Sequence, residues 1–289
     1  MSDPTTASAG LPTGLFSGLC DDAAVFPPGN LPLPEAVPAH GRHGQAAYAD
    51  VVGAFVLAAK DLGALAEVVA GLAEGSLPLS LTVPVPGLAV ALTTVAAIPA
   101  VRLVGLEVSV PEGMPADAVV PEVEAAGVGV PVYVEIPRDE RRDALVAELS
   151  GSPFAAKLRT GGVRAELYPD EKELAESVLT LVRAGVPFKA TAGLHHALRN
   201  TDPETGFEQH GFLNLMSAAG AAADGAGVDE LVGLLAERDP ERVVAGVRRL
   251  GPEVRETFRS FGTCSVVEPV DELVGLGLLP GSYQTGVPA

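Results

Sequence analysis

Lys157 and Lys189 are the residues of this chain best placed to do chemistry. Each lies in a short apolar run that leads into a small-residue turn, Ala-Ala-Lys157-Leu-Arg159-Thr160-Gly161-Gly162 and Pro-Phe-Lys189-Ala-Thr191-Ala-Gly193. A stretch of helical pattern separates them, which puts two amines at the same end of two adjacent parallel strands. Charge inside an apolar run is costly unless it is paired. Two uses of such lysines follow. Either they close buried ion pairs, or one of them reacts with a carbonyl. In the second case a neighbouring cation and a dry site hold the amine neutral often enough to attack.

Other strand ends add candidates. Glu107 stands in Leu-Glu107-Val-Ser109-Val-Pro111 and Glu135 in Val-Tyr133-Val-Glu135-Ile-Pro137. Four consecutive runs thus bring Glu, Glu, Lys and Lys toward one mouth, where a carboxylate or the second amine can move protons. Arg159, Thr160, Gly161 and Gly162 offer charge and backbone N–H groups to an anionic part of a substrate. Thr191, Thr263 and Ser265 complete the polar set at the ends of the last two runs. His195 and His196, adjacent just past a strand end, read as substrate-binding residues. With Glu107, Glu135 or Asp21-Asp22 they would also make a divalent-metal set, although no H-x-H or H-x-x-x-H spacing supports one. Asp21 and Asp22 read first as turn formers. Cys264 reads as a buried small residue, and His210 with Asn214 as helix packing.

These residues need a scaffold. Apolar, β-branched runs at 50–57, 77–83, 101–110, 130–136, 154–158, 186–191 and 258–267, with a shorter one within 16–26, give eight strand candidates. Helical patterns fall between them. The clearest covers 170–184, with Asp170 as cap and Glu173 three residues on, an apolar face of Leu174, Val178, Leu181 and Val182, and Gly185 and Pro187 as stops. A second covers 141–149. Strands alternating with helices predict an α/β fold, a (β/α)8 TIM-type barrel in a single domain with a helical insert before the last strand. Its extent is 13–289, after a disordered tail at 1–12, and the insert or lid is 200–239. A doubly wound sheet is the runner-up, weakened by the lack of G-x-G-x-x-G and G-x-x-x-x-G-K-[ST] motifs.

Composition sets the outer limits. Apolar residues make up 47% of the 289 positions and tryptophan is absent, so the core is built from Ala, Val and Leu. A net charge of −18 opposes binding to phosphate backbones and anionic membrane surfaces. Two cysteines make no disulfide framework. With no basic-then-apolar leader the expectation is a cytoplasmic protein that binds neither nucleic acid nor membrane, with homo-oligomerisation left open.

The segments around the two lysines resemble those of the deoxyribose-phosphate aldolase family. In that family the Schiff-base lysine stands in Lys-Thr-Ser-Thr-Gly, similar to Lys157-Leu-Arg-Thr160-Gly161, and a second lysine stands in Lys-x-x-Gly-Gly-Ile, similar to Lys189-Ala-Thr-Ala-Gly193-Leu194. The family's Ile-Gly-Thr-Ser-Ser resembles Phe261-Gly262-Thr263-Cys264-Ser265, and its strand-four aspartate falls near Glu107. Leu158 and Arg159 depart from small hydroxyl positions, His195-His196 depart from the family's glycine turn, and the N-terminal third has no match. The resemblance implies a (β/α)8 barrel and class I aldolase chemistry.

The expectation that follows is an aldolase-like lyase acting on a small anionic carbonyl compound. Lys157 forms an iminium, Lys189 depresses its pKa and relays protons with Glu107 or Glu135, and no cofactor is needed. The alternatives are a metal-dependent lyase or hydrolase built on His195, His196 and carboxylates, and a non-catalytic barrel that binds a metabolite.

Overall fold

The computed structural model describes residues 14–286, so the tail at 1–12 lies outside the described residues. Eight parallel strands close into a barrel. In chain order they are β1 (Cys20–Asp22), β2 (Val52–Ala58), β3 (Leu77–Pro84), β4 (Val101–Ser109), β5 (Val132–Glu135), β6 (Ala155–Arg159), β7 (Phe188–Thr191) and, after a two-stranded hairpin of β8 (Asn200–Thr201) and β9 (Glu208–Gln209), β10 (Phe258–Thr263). Neighbours run β1-β10-β7-β6-β5-β4-β3-β2, and β2 pairs with β1 to complete the ring. Each sequence run expected as a strand supplies one stave. The fold is the TIM-type α/β barrel that the alternation predicts.

Strand alternation decides which side chains enter the barrel. On β7, Phe188 and Ala190 are fully buried toward the outer helices, while Lys189 and Thr191 face inward. On β10, Phe261 faces outward and stacks on Phe212, with ring centroids 4.7 Å apart. Phe212 opens α7 (Phe212–Ala223), whose residues are almost all buried. That helix therefore takes the outer-layer place between β7 and β10. The long connection holds in addition the β8–β9 hairpin, α8 (Val228–Ala236), α9 (Pro240–Val247) and the short α10 (Val254–Thr257). Asn214 ties α7 to the end of α8: it accepts from the Arg199 N–H and donates to the carbonyls of Leu234 and Glu237. His210 is buried beside it, its Nε2 2.8 Å from the Pro169 carbonyl.

Among the other outer helices, Glu171–Arg183 starts as the sequence predicts. Asp170 caps it by accepting from the Glu173 N–H at 2.8 Å, which satisfies one of the orphan amides of the first turn. Leu174, Val178 and Leu181 bury its apolar face against the wall. Among the described residues no helix is long and apolar enough to cross a membrane.

Candidate active site at the C-terminal mouth of the barrel

Charged inward residues of five staves, β1, β4, β5, β6 and β7, meet in one cluster. Glu107 on β4 lies at its centre. Its Oε1 accepts from Lys189 Nζ at 2.6 Å and from Ser80 Oγ at 3.1 Å, and its Oε2 lies 3.4 Å from Lys157 Nζ. Lys189 also donates to Asp21 Oδ2 at 2.6 Å, and Lys157 contacts Glu135 Oε2 at 2.8 Å. Arg159 Nε reaches Glu135 Oε1 at 3.4 Å. One acid therefore bridges two amines, and each amine has a second acid on its own side.

Local sequence explains how Asp21 gets there. Gly53 on β2 leaves the space, since a Cβ at that position would lie 2.1 Å from Asp21 Oδ1. The same oxygen accepts from the Ala54 N–H at 2.9 Å, and Oδ2 accepts from Ser260 Oγ at 2.7 Å. Asp21 and Asp22 are strand residues, so they point to opposite sides. Asp22 leaves the barrel to meet His40 Nδ1 at 3.0 Å on α1 (Leu33–His43), and its Oδ1 accepts from the Ala24 N–H, which holds the turn after β1. The turn-forming expectation thus applies to Asp22. Asp21 belongs to the cluster.

Charge states follow from this packing. Burial acts to raise the Glu107 carboxyl, but Lys189 and Lys157 outweigh it and hold the group at about 2. Burial likewise opposes ionisation of Glu135, and Lys157 and Arg159 pull it below the usual carboxylate range. Lys189 is shifted upward. Burial alone would lower it, yet Asp21 and Glu107 raise it above an ordinary lysine. Its Nζ also sits 5.3 Å from the centre of the Tyr133 ring, whose face attracts a cation. Both effects favour the ammonium form of Lys189.

A cavity of about 590 Å3 opens above the cluster at the C-terminal strand ends, the face on which barrel enzymes carry their sites. Glu107, Glu135, Lys157, Arg159, Thr191 and His195 line it, as does Gly162. Lys189 does not. It is fully buried behind Glu107, so of the two lysines only Lys157 meets the cavity.

The remaining candidates are placed elsewhere. Thr160 Oγ1 donates to the Ala192 carbonyl at 2.6 Å and holds a strained turn, in which Ala192 has a φ of 64°. Gly161 is needed for close packing, since a Cβ there would lie 2.6 Å from Tyr168 Cε1 and 2.8 Å from the Gly193 Cα. Thr263 Oγ1 donates to the Ser265 carbonyl at 2.9 Å, so this pair shapes its own turn. The two histidines diverge. His196 turns to Glu272 at 2.6 Å on α11 (Val267–Gly275), which raises its pKa, while His195 places Nδ1 3.3 Å from Cys264 Sγ. Arg199 pairs with Glu171 and Glu208 away from the cavity.

Cys264 is therefore half-buried and cavity-lining rather than an inert core residue. Burial lifts its thiol to about 11 and pushes His195 down, so both are neutral at pH 7. Among the described residues no three His, Cys, Asp or Glu side chains converge as a metal set.

No protein-family model matches this chain, and no curated protein matches it. A solved structure of nitroalkane oxidase from Streptomyces ansochromogenes is similar at 14% identity, covering 86% of this chain and 93% of that one, with a TM-score of 0.32. That likeness is too slight to bear on activity.

Proposed function

We propose that this barrel is a lyase of the Schiff-base type, similar in chemistry to the class I aldolases, with Lys157 as nucleophile toward a carbonyl compound. The observation that carries the reading is the position of Lys157. Its Nζ lies at the cavity floor, 2.8 Å from Glu135 and 3.4 Å from Glu107, so a base and a fixed anion flank one accessible amine.

The steps balance with these groups alone. Lys157 passes a proton to Glu135, and the freed amine adds to the carbonyl carbon. Glu135 returns that proton to the oxygen and then carries a second one from the adduct nitrogen to it; water leaves, and an iminium forms whose charge replaces that of the ammonium. Glu107, ionised at any pH near neutrality, balances that charge in a site shielded from water. The iminium then accepts the electron pair of the carbon–carbon bond that breaks, or supplies an enamine for the bond that forms. Lys189 holds Glu107 in place and keeps it ionised.

The test is reductive trapping. Borohydride with a carbonyl compound should add the compound's reduced mass at Lys157, leave Lys189 unmodified, and add nothing to Lys157→Ala. Equal labelling of the variant would remove the mechanism.

A second reading is favoured by a specific observation, that every ammonium and guanidinium of the cluster is already paired. On that reading the barrel is a non-catalytic metabolite-binding protein. It predicts saturable binding to the cavity with no trapping at all. The metal-dependent alternative has less support, because His195 and His196 face different neighbours.

A further inference from the structure

The charges of the cluster beneath the cavity cancel. Lys157, Lys189 and Arg159 stand against Asp21, Glu107 and Glu135, and every contact between them is 3.4 Å or shorter. A phosphate or carboxylate entering this site would have to displace an acid from its partner and would then face the others as like charges. The remaining polar groups on the wall are neutral. Burial holds His195 unprotonated and the Cys264 thiol protonated, and Thr82, Ser109 and Thr191 carry hydroxyls.

The glycine turn after β6 offers no anion cradle either. The turn after β6 is filled by the protein itself: Tyr168 packs against Gly161, and a Cβ at Gly162 would lie 2.5 Å from Leu167 Cδ1. One cation in the lining, Lys60, has no ion pair among the described residues. It is exposed at the mouth, where water screens it.

The rest of the wall is apolar, with Phe26, Val56, Val83, Pro84, Val163 and Leu167 prominent. Val163 is 71% exposed, one of three large apolar side chains in that state among the described residues, and it sits at the edge of the cavity. At roughly 30 Å3 per water, a cavity of 590 Å3 holds about twenty waters, far more than a three-carbon aldehyde would displace.

We infer that the site takes an uncharged carbonyl compound with an extended apolar body, an aliphatic or aromatic aldehyde or ketone, and discriminates against phosphorylated and carboxylated ones. The carbonyl end of this inference rests on the Schiff-base reading; the apolar end stands on the cavity wall alone. It departs from the anionic substrate that Arg159 and the glycine turn suggest in the sequence, because Arg159 is committed to Glu135 and the turn is occupied.

Two measurements on the full chain test it. In the first, straight-chain aldehydes of about four to eight carbons are compared with glyceraldehyde 3-phosphate and pyruvate in borohydride trapping at Lys157. The concentration for half-maximal labelling should fall roughly fourfold per added methylene until the cavity fills, and Val163→Asp should flatten that series. Trapping at Lys157 that favours the phosphate or the carboxylate would overturn the inference while leaving the Schiff base intact. In the second, ligand-observed NMR compares alkanols with alkyl carboxylates of equal length, neither of which can form an imine. Binding of the alcohol and not the acid supports the uncharged, apolar end of the inference even if no compound is trapped, an outcome that would sink the Schiff-base reading and the carbonyl end with it. Preference for the acid, or no binding of either, would sink the inference.

Discussion

Glu107→Gln removes the one carboxylate that both amines share, and its effect on stability can be worked from the structure. The group is 2% exposed and sits at about 2 instead of its ordinary 4.5. At about 1.4 kcal/mol per pKa unit, that difference corresponds to about 3 kcal/mol of folding stability at pH 7. The sign is that of a carboxylate depressed in the folded state. Its contribution is complete well above 4.5 and is lost as the pH falls through 2. The linkage relation leaves about 1 kcal/mol at pH 3 and almost nothing at pH 2. The glutamine keeps the volume and can still accept from Ser80 and Lys189, so it removes the charge with little change in packing. The excess cation it leaves in the cluster is the same one that protonation of Glu107 would leave, so that cost is already within the figure. Urea unfolding of both proteins at intervals from pH 7 down to the acid limit of the wild type gives the comparison directly. The gap between them should be about 3 kcal/mol at pH 7 and should narrow steadily below pH 4. A gap that stays constant with pH, or one under about 1 kcal/mol at pH 7, would refute the view that Glu107 is held ionised by two ammonium groups.

Lys189→Met should destabilise the protein by about 3–5 kcal/mol, since it leaves Asp21 and Glu107 buried with one cation fewer, whereas Lys157→Met at the cavity floor should cost distinctly less; thermal and urea unfolding of the two variants side by side decide this. Gly161→Ala should cost about 1–3 kcal/mol by overpacking Tyr168 and Gly193, and a change in the tyrosine near-UV signal should accompany it. Glu272→Gln should matter in a pH window. His196 is raised above its ordinary 6.5 chiefly by the Glu272 hydrogen bond, so its stabilisation is full below 6.5 and fades as the pH rises through the folded value. The stability difference between wild type and variant should therefore be largest in mild acid and shrink in alkali, and a difference independent of pH would refute it.

The barrel was legible because parallel strands are buried on both faces and read as continuous Val- and Leu-rich runs. The lysines and Glu107 stood out for the same reason, as charges inside such runs. Asp21 did not. Its strand is three residues long, Cys20-Asp21-Asp22 reads as a turn, and its partner Lys189 lies 168 positions away. Only the closing of the barrel, with β1 between β10 and β2, brings the two together. Ser80 and Ser260 were hidden in the same way, since a serine in a strand gives no sign of which side it faces until the register is known. A usable signal existed for Asp21: period-two alternation sends one of two adjacent aspartates inward. The histidine pair misled in the reverse way, because adjacency grouped the two as substrate-binding residues while the path of the chain sends His195 to the cavity and His196 to Glu272.

Position around the ring accounts for the different fates of two lysines that are paired neighbours on β6 and β7. Lys157 has β5 on its far side, and with it Glu135, whose carboxylate reaches the cavity. Lys189 has β10 and then β1 on its far side, and with them Asp21, which Gly53 and Ser260 hold deep in the barrel. Each amine takes the acid of its own side and shares the one across the barrel. The acid on the deep side turns Lys189 into a fixed charge, and the acid on the open side leaves Lys157 beside both solvent and a proton acceptor. Exchanging the two lysines chemically would not exchange their roles, because the roles reside in the flanking strands.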